Sequence, residues 1–300
     1  MIITLKDGSK KEYSEAKSVI DVAFDISEGL ARAACAGEVD GEVVDLRTVL
    51  DKDCELNILT ARDEKGLAVL RHTASHVMAE AVQTLFPEAK VAIGPSIDTG
   101  FYYDFECQSF SRDDLDAIEK EMKKVCKEGK KIYRREISKA EAMEMFKDDP
   151  YKLDLIEGLE DGNISVYDQG DFTDLCRGPH VDNTKLCKNF KLVKYSGVYW
   201  KGDANNHVMQ RIYGVCFPTP EELEEHLKLL EEAKDRDHRK IGKEMNLFMS
   251  DDLVGRGLPM FLPKGYTVWQ ELENYIKAKE RTLGYLHVMT PCVGTVNLYK

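Results

Sequence analysis

The sequence predicts an α+β protein made of consecutive modules, and three observations carry that prediction. Alternating apolar and polar residues around two glycine turns fill residues 1–60. A run from Leu67 to Leu85 then repeats its apolar residues at helical spacing and leads to an aromatic strand at Phe101–Phe105. Charged helical patterns return after residue 217. At 300 residues the chain has the length of about two domains, with room for a third if one is small.

In the first module, Met1–Lys6 alternates and turns at Asp7-Gly8, and Val19–Ile26 reads as a short helix. Ala33–Val39 and Glu42–Leu46 flank Asp40-Gly41, a hairpin signal, and Leu56–Leu59 makes a last strand. Two hairpins and one helix in this length fit a β-grasp, ubiquitin-like fold. Nothing in it points to catalysis, so docking or domain packing is its expected role.

Between Leu67 and Leu85 the residues Leu70, Ala74, Val77, Met78, Ala81 and Leu85 form one apolar stripe. At about 100° per residue, His72 and His76 fall roughly opposite its centre. A single helical His is ordinarily a satisfied core or surface residue. Two imidazoles one turn apart, among Thr73, Ala74 and Ser75, can reach one metal ion or one bound substrate. A zinc-protease reading fails, because that motif needs a Glu general base where this chain has Thr73.

The second half of the pattern is Asp171-Phe172-Thr173-Asp174-Leu175-Cys176-Arg177-Gly178-Pro179-His180. Gly170 and Gly178-Pro179 bracket it and place Asp174, Cys176 and His180 on a loop or strand end. Cys176 alone also reads as a small buried hydrophobe. With His180 and the distant His pair it completes a set of four candidate ligands.

Gly94-Pro95 leads into the aromatic strand containing Tyr102, structurally a wall and a mouth. Glu119–Lys139 reads as a helical stretch rich in Lys and Arg, either a solvated face or an RNA-facing patch. From Lys185 to Lys201 there are five lysines and no acid, interleaved with Phe190, Tyr195, Tyr199 and Trp200. Here Lys191, Lys194, Tyr199 and Trp200 are the candidates for RNA contact. The formal net charge of −12 excludes a protein that grips nucleic acid by bulk electrostatics, so any RNA contact must be local. No run approaches the roughly 20 apolar residues of a membrane span, and no signal pattern opens the chain. Eight cysteines without disulfide spacing fit reduced thiols in a cytoplasm, with Cys35 and Cys107 as packing residues. Glu221–Lys240 reads as one charged helix with solvated charges. Beyond Gly257 a Pro-rich stretch precedes a helix through Arg281, a cap at Gly284 and a strand to Pro291.

Four of these segments, in this order and spacing, resemble the N-terminal part of bacterial-type threonyl-tRNA synthetases: His72–His76, Gly94–Phe105, Asp171–His180 and Tyr199–Gly214. The resemblance covers essentially all 300 residues. It implies a TGS domain over 1–60, an editing domain over 61–216 and a linker helix over 217–242. Residues 243–300 would begin a class II catalytic domain, with its first signature motif alone. The family charges tRNA(Thr) with threonine, using ATP, Mg²⁺ and a zinc in a catalytic domain whose remaining motifs would follow Lys300, and its members pair as homodimers. Ligation is therefore not expected of these residues alone.

The editing domain of the family hydrolyses mischarged seryl-tRNA(Thr), with the tRNA acceptor end as partner. Carried over by residue, His72, His76, Cys176 and His180 line that site, and Asp174 lies beside the seryl amine or hydroxyl. Gly94, Tyr102 and Arg177 surround the substrate, while Lys152, in Pro150-Tyr151-Lys152, helps to activate or orient water. Related alanyl-tRNA editing domains hold zinc with the same donor set; the sequence leaves the metal open here. Direct attack by water is preferred over a Cys176 thiolate, since no local feature activates the thiol. Serine is threonine minus one methyl, a difference of only about 1–3 kcal/mol in binding, which is why a second, hydrolytic site is needed. Two other classes stay open: a freestanding hydrolase acting in trans, and a non-catalytic RNA-binding or regulatory module with an idle His/Cys site.

Overall fold

In the computed structural model, which describes residues 1–162, 164–255 and 257–299, the chain divides into two units, 1–225 and 226–300. The first unit begins with β1 (Ile2–Leu5), β2 (Lys10–Glu12), β3 (Lys17–Ser18), α1 (Val19–Ile26), α2 (Glu28–Ala33), β4 (Ala34–Val39), β5 (Glu42–Val44), β6 (Val49–Leu50) and β7 (Cys54–Thr60). Five of these strands form one sheet in the order β2-β1-β7-β4-β5, with β1 and β7 parallel and the other pairs antiparallel. Strands β3 and β6 pair separately. Helix α1 starts where the Ser18 and Asp21 side chains satisfy each other's backbone amides, a capping box. It buries Val19 and Val22 against Ile3, Ala34, Leu46, Leu50 and Leu56. The expected hairpin at Asp40-Gly41 is present; the second helix was not expected, and Ser27 caps it.

The chain continues through α3 (Glu64–Leu85), β8 (Lys90–Val91), β9 (Ser96–Ile97), β10 (Gly100–Glu106), α4 (Arg112–Glu128), β11 (Ile132–Ile137), α5 (Lys139–Met145) and α6 (Pro150–Glu157). It goes on with β12 (Ile164–Gln169), β13 (Phe172–Leu175), β14 (Phe190–Tyr199) and β15 (Val208–Cys216). One sheet has the order β14-β15-β10-β8, with β9 also on β10, and a second is β11-β12-β13. Helix α3 is the axis of this part. Its Leu70, Ala74, Val77, Met78 and Ala81 share a core with Phe101 and Phe105 of β10, Leu115 and Ile118 of α4, and Cys35, Ala36 and Leu59 of the N-terminal sheet.

That enclosure corrects one expectation. His76 does not stand clear of the core: it is 5% exposed, and Thr73, Ser75 and Glu80 are buried beside it. A helix packed on several sides keeps no solvent face, so its polar residues must find partners inside.

Three further expectations change. Glu119–Lys139 is not one helix. Gly129, at φ +69°, caps α4 in the left-handed region, and the chain turns into β11. Several of its cations are also paired with acids: Lys130 with Glu80, Arg134 with Glu136 and Arg135 with Asp168. The charged helix expected over 221–240 breaks into α7 (Pro220–Asp235) and α8 (His238–Glu244), because the Asp237 side chain caps a new helix at Arg239 N. In the second unit, β16 (Phe248–Met249) pairs with β17 (Met260–Phe261), and α9 (Pro263–Thr282) follows with proline in its first turn. Residues 285–291 form no strand; they are irregular and exposed, with no neighbouring strand to receive their hydrogen bonds.

Leu70 is 1% exposed in the principal core. Leu70→Ala should therefore cost about 2–5 kcal/mol in urea unfolding. His76→Ala should also destabilise, by about 1–3 kcal/mol, because it leaves a buried carboxylate short of a partner. A neutral His76→Ala would contradict the enclosure of α3.

Candidate active site

Three segments meet at Cys176. Helix α3 brings His72 and His76, the end of β13 brings Asp174 and Cys176, and the loop after it brings His180. One nitrogen of each imidazole and the Cys176 sulfur all lie within 4.8 Å of one another. His72 Nε2 and His180 Nε2 are each 3.3 Å from Cys176 Sγ, which also accepts the Gly178 N–H at 3.3 Å. The His180 ring stacks on His72, with centroids 4.4 Å apart, and meets His76 edge-on at 4.3 Å.

Proton counting fixes two of the three tautomers. Thr73 Oγ1 lies 3.0 Å from the Val69 carbonyl and gives its only proton there. It must then accept from Val181 N at 3.0 Å and from His180 Nδ1 at 3.2 Å. His180 Nδ1 therefore carries hydrogen and Nε2 is bare. His76 Nδ1 faces Asp174 Oδ2 at 3.4 Å, which leaves its Nε2 bare as well. His72 lies beside the Pro179 carbonyl, and its Nε2 faces Cys176 Sγ. Three neutral imidazoles and one thiol, their donor atoms within reach of one point, form a donor set that fits zinc. Such a set would hold the ion with four protein ligands.

Burial sets the charge states. It pulls the His76 pKa down to about 3 against the opposing pull of Asp174, and it lowers His180 and His72 too. All three are neutral at pH 7. Burial pushes the Cys176 thiol up to about 12, despite the Gly178 amide, so without a metal it is no thiolate.

Below His76 lies a second layer. Lys152 and Asp174, each with a side chain 1% exposed, form an ion pair. Tyr103 donates to Asp174 Oδ2 at 2.5 Å and sits 3.2 Å from Lys152 Nζ. Burial raises the Asp174 pKa, but the Lys152 charge and the hydrogen bonds from Lys152 and Tyr103 outweigh it and hold the group below the usual value. Lys152 is delivered by α6, whose first turn is capped by Asp149.

The other expected residues are placed less uniformly. Gly94 lies against the site: Ser75 Oγ is 2.5 Å from its carbonyl, and any Cβ there would overlap the Tyr103 ring. Tyr102 is on the opposite face of β10 from Asp174, stacked 3.7 Å under the Arg211 guanidinium. Tyr103 is the strand residue that enters the site; its even spacing from buried Phe101 and Phe105 was the signal for it. Arg177 is exposed beside the cluster. Trp200 is a correction: it is 7% exposed, packs on Tyr151 and gives its Nε1–H to Asp154 at 2.9 Å, so it offers no open stacking face. Lys191 is paired with Glu119 at 2.9 Å. Lys194 lies over the Tyr213 ring at 4.2 Å and Tyr199 is 47% exposed, so these two remain on the surface.

Residues 1–60 match the TGS domain family, and residues 164–213 match the family described as the threonyl and alanyl tRNA synthetase second additional domain. The threonine–tRNA ligases of Staphylococcus aureus strains JH9, Newman and N315 are each 49% identical over 300 residues, covering 99% of this chain and 46% of their own length. The chain is a homologue of threonine–tRNA ligases. It carries their TGS domain, a β-grasp fold, and their editing domain, and it spans less than half the length of the relatives it matches. Among the described residues, no helix is long and apolar enough to cross a membrane.

The buried pair gives a test that needs no substrate. Lys152→Met alone should cost about 3–5 kcal/mol in chemical unfolding, since it strands the Asp174 charge. Lys152→Met combined with Asp174→Leu should cost clearly less than the two single changes added together. Additive losses would mean that the two side chains are not coupled.

Proposed function

We propose that residues 61–216 hydrolyse seryl-tRNA(Thr), as the proofreading part of a threonine–tRNA ligase whose class II catalytic domain begins within residues 243–300. The three converging neutral imidazoles carry this reading. They supply proton acceptors at neutral pH beside a mouth where His72 and Cys176 are still partly exposed. In this reaction a water oxygen bonds to the seryl carbonyl carbon, and the bond to the ribose oxygen breaks. The water proton passes to an imidazole, and the leaving ribose oxygen takes a proton.

His72, at the mouth, is our candidate acceptor. His76 is held by Asp174, and Asp174 by Lys152 and Tyr103. We therefore assign Asp174 and Lys152 to positioning, since both are too deeply buried to meet the seryl group. Cys176 remains a thiol whose single proton can be given to one ring nitrogen at a time. Zinc, when bound by His72, His76, Cys176 and His180, would supply a fixed cross-link among the four side chains. With four protein ligands it would leave no open position for water. The partner is the acceptor end of tRNA(Thr), with Lys194 and Tyr199 as surface contacts. Ligation with threonine and ATP belongs to the whole protein.

The test is deacylation of seryl- and threonyl-tRNA(Thr) by this chain. The seryl ester should be cleaved and the threonyl ester largely spared. His72→Ala should slow cleavage about 10²–10⁴-fold. Cys176→Ser should give a partial defect with no trappable acyl-enzyme. Equal cleavage of both esters would remove the size-sieve argument, and an acyl-Cys176 adduct in mass spectrometry would remove water as the direct nucleophile. Activity lost to a chelator and restored by zinc would replace the imidazole reading with a metal-dependent one. A folded chain with no deacylation would favour an RNA-binding module.

A further inference from the structure

We propose that the N-terminal module is a working part of the editing site, with Asp45 as a positioning residue for His180; this rests on the deacylase reading above. The loop that follows β13 leaves β12 after Cys176 and meets β11 again only near Asp182, so the stretch between is held by other bonds. Its amides are instead tied one by one to different elements: Cys176 N to the Ser165 carbonyl, Gly178 N to Cys176 Sγ, and Val181 N to Thr73 of α3. His180 N alone among these reaches the N-terminal module, donating to Asp45 Oδ1 at 3.0 Å. The second carboxylate oxygen of Asp45 accepts the Tyr167 hydroxyl at 2.7 Å. Tyr167 in turn lies edge-on to the His180 ring, with centroids 4.5 Å apart.

One carboxylate thus fixes both the backbone of His180 and a wall of its imidazole. Gly178, at φ +71°, lets the loop pass over Tyr167, whose hydroxyl would collide with any Cβ there. A second tie lies two residues on: Arg47 pairs with Asp182 and stacks 4.5 Å from the Tyr133 ring. The junction here is not sealed by apolar packing. A cavity of about 180 Å³ opens between the module and the loop, lined by Asp45, Arg47, Tyr133, Arg134, His180 and Asp182 among others. The module packs Cys35, Ala36 and Leu59 on the core of α3, and at the loop edge this polar clasp holds the His180 backbone. Losing it frees the ring to rotate away from Thr73 and Cys176, in the way that removing an orienting partner disturbs a histidine ligand.

The experiment uses the whole 300-residue chain without added metal and reads two quantities. Asp45→Ala should lower kcat for seryl-tRNA(Thr) deacylation by about 10–100-fold with little change in KM. In imidazole ¹⁵N NMR spectra it should turn the single Nδ1–H tautomer of His180 into an averaged signal. Asp45→Asn, which keeps an acceptor for His180 N, should retain most of the activity and the fixed tautomer. If Asp45→Ala does not fold, Tyr167→Phe carries the same two readouts, since it frees one carboxylate oxygen and leaves Asp45 in place. A folded variant with unchanged kcat and an unchanged His180 tautomer would overturn the proposal, as would a loss confined to KM. The NMR readout is independent of catalysis: if the wild-type chain deacylates nothing and Asp45→Ala still releases the tautomer, the deacylase reading fails and the positioning role stands.

Discussion

The arrangement around Cys176 depends on an ion pair placed where water cannot reach it. Taking Lys152 and Asp174 out of water is costly, and their mutual attraction offsets that cost only when the remaining protons and lone pairs find partners. Tyr103 and His76 are those partners, and this requirement explains much of the surrounding geometry. Tyr103 must come from the inward face of β10. Gly94 must lack a side chain so that the Tyr103 ring has room. His76 must keep its proton on Nδ1, which turns its other nitrogen toward the centre. The charged layer lies deep and the neutral imidazoles lie above it. The protein spends buried charge to fix the tautomer of a group that carries none.

The parts of this site that rest on local pattern were legible in the sequence. His72 and His76 share a helical face by spacing alone, and the glycines around Asp174, Cys176 and His180 marked a strand end. Helix α1 and the hairpin at Asp40-Gly41 follow from a cap and a turn, which are local chemistry too. What escaped was whatever depends on a distant neighbour. Lys152 was visible as a candidate, but its partner lies on another strand, so its burial could not be read. Tyr102 and Tyr103 are adjacent, and alternation puts Tyr103 with Phe101 and Phe105, but that this face meets Asp174 depends on a distant strand. Trp200 looked like a stacking residue among lysines until Asp154 and Tyr151 closed over it. Asp45 gave no signal at all, because an acid after a hairpin is ordinary until His180 is placed beside it.

The long basic stretches show the same limit from the other side. Lys130, Arg134, Arg135 and Lys191 suggested an RNA surface as a string of charges, yet each meets an acid in the fold. Such pairs contribute little stability where they are exposed. They do remove the cations from the free positive surface, and Lys194 and Tyr199 are left as the smaller candidate surface.

The near-complete enclosure of α3 also bears on how the chain is made. A helix that ends up without a solvent face has no stable place to rest until its covers exist. Those covers include β15, which ends at Cys216, more than a hundred residues after the helix itself. During synthesis the N-terminal sheet can shield one side of α3 early, since Cys35, Ala36 and Leu59 already precede it. The remaining sides wait for contacts between residues far apart in sequence, which form slowly and leave apolar surface exposed in the interval. The small leading module, made first, therefore covers one side of the helix that follows it before the other covers exist.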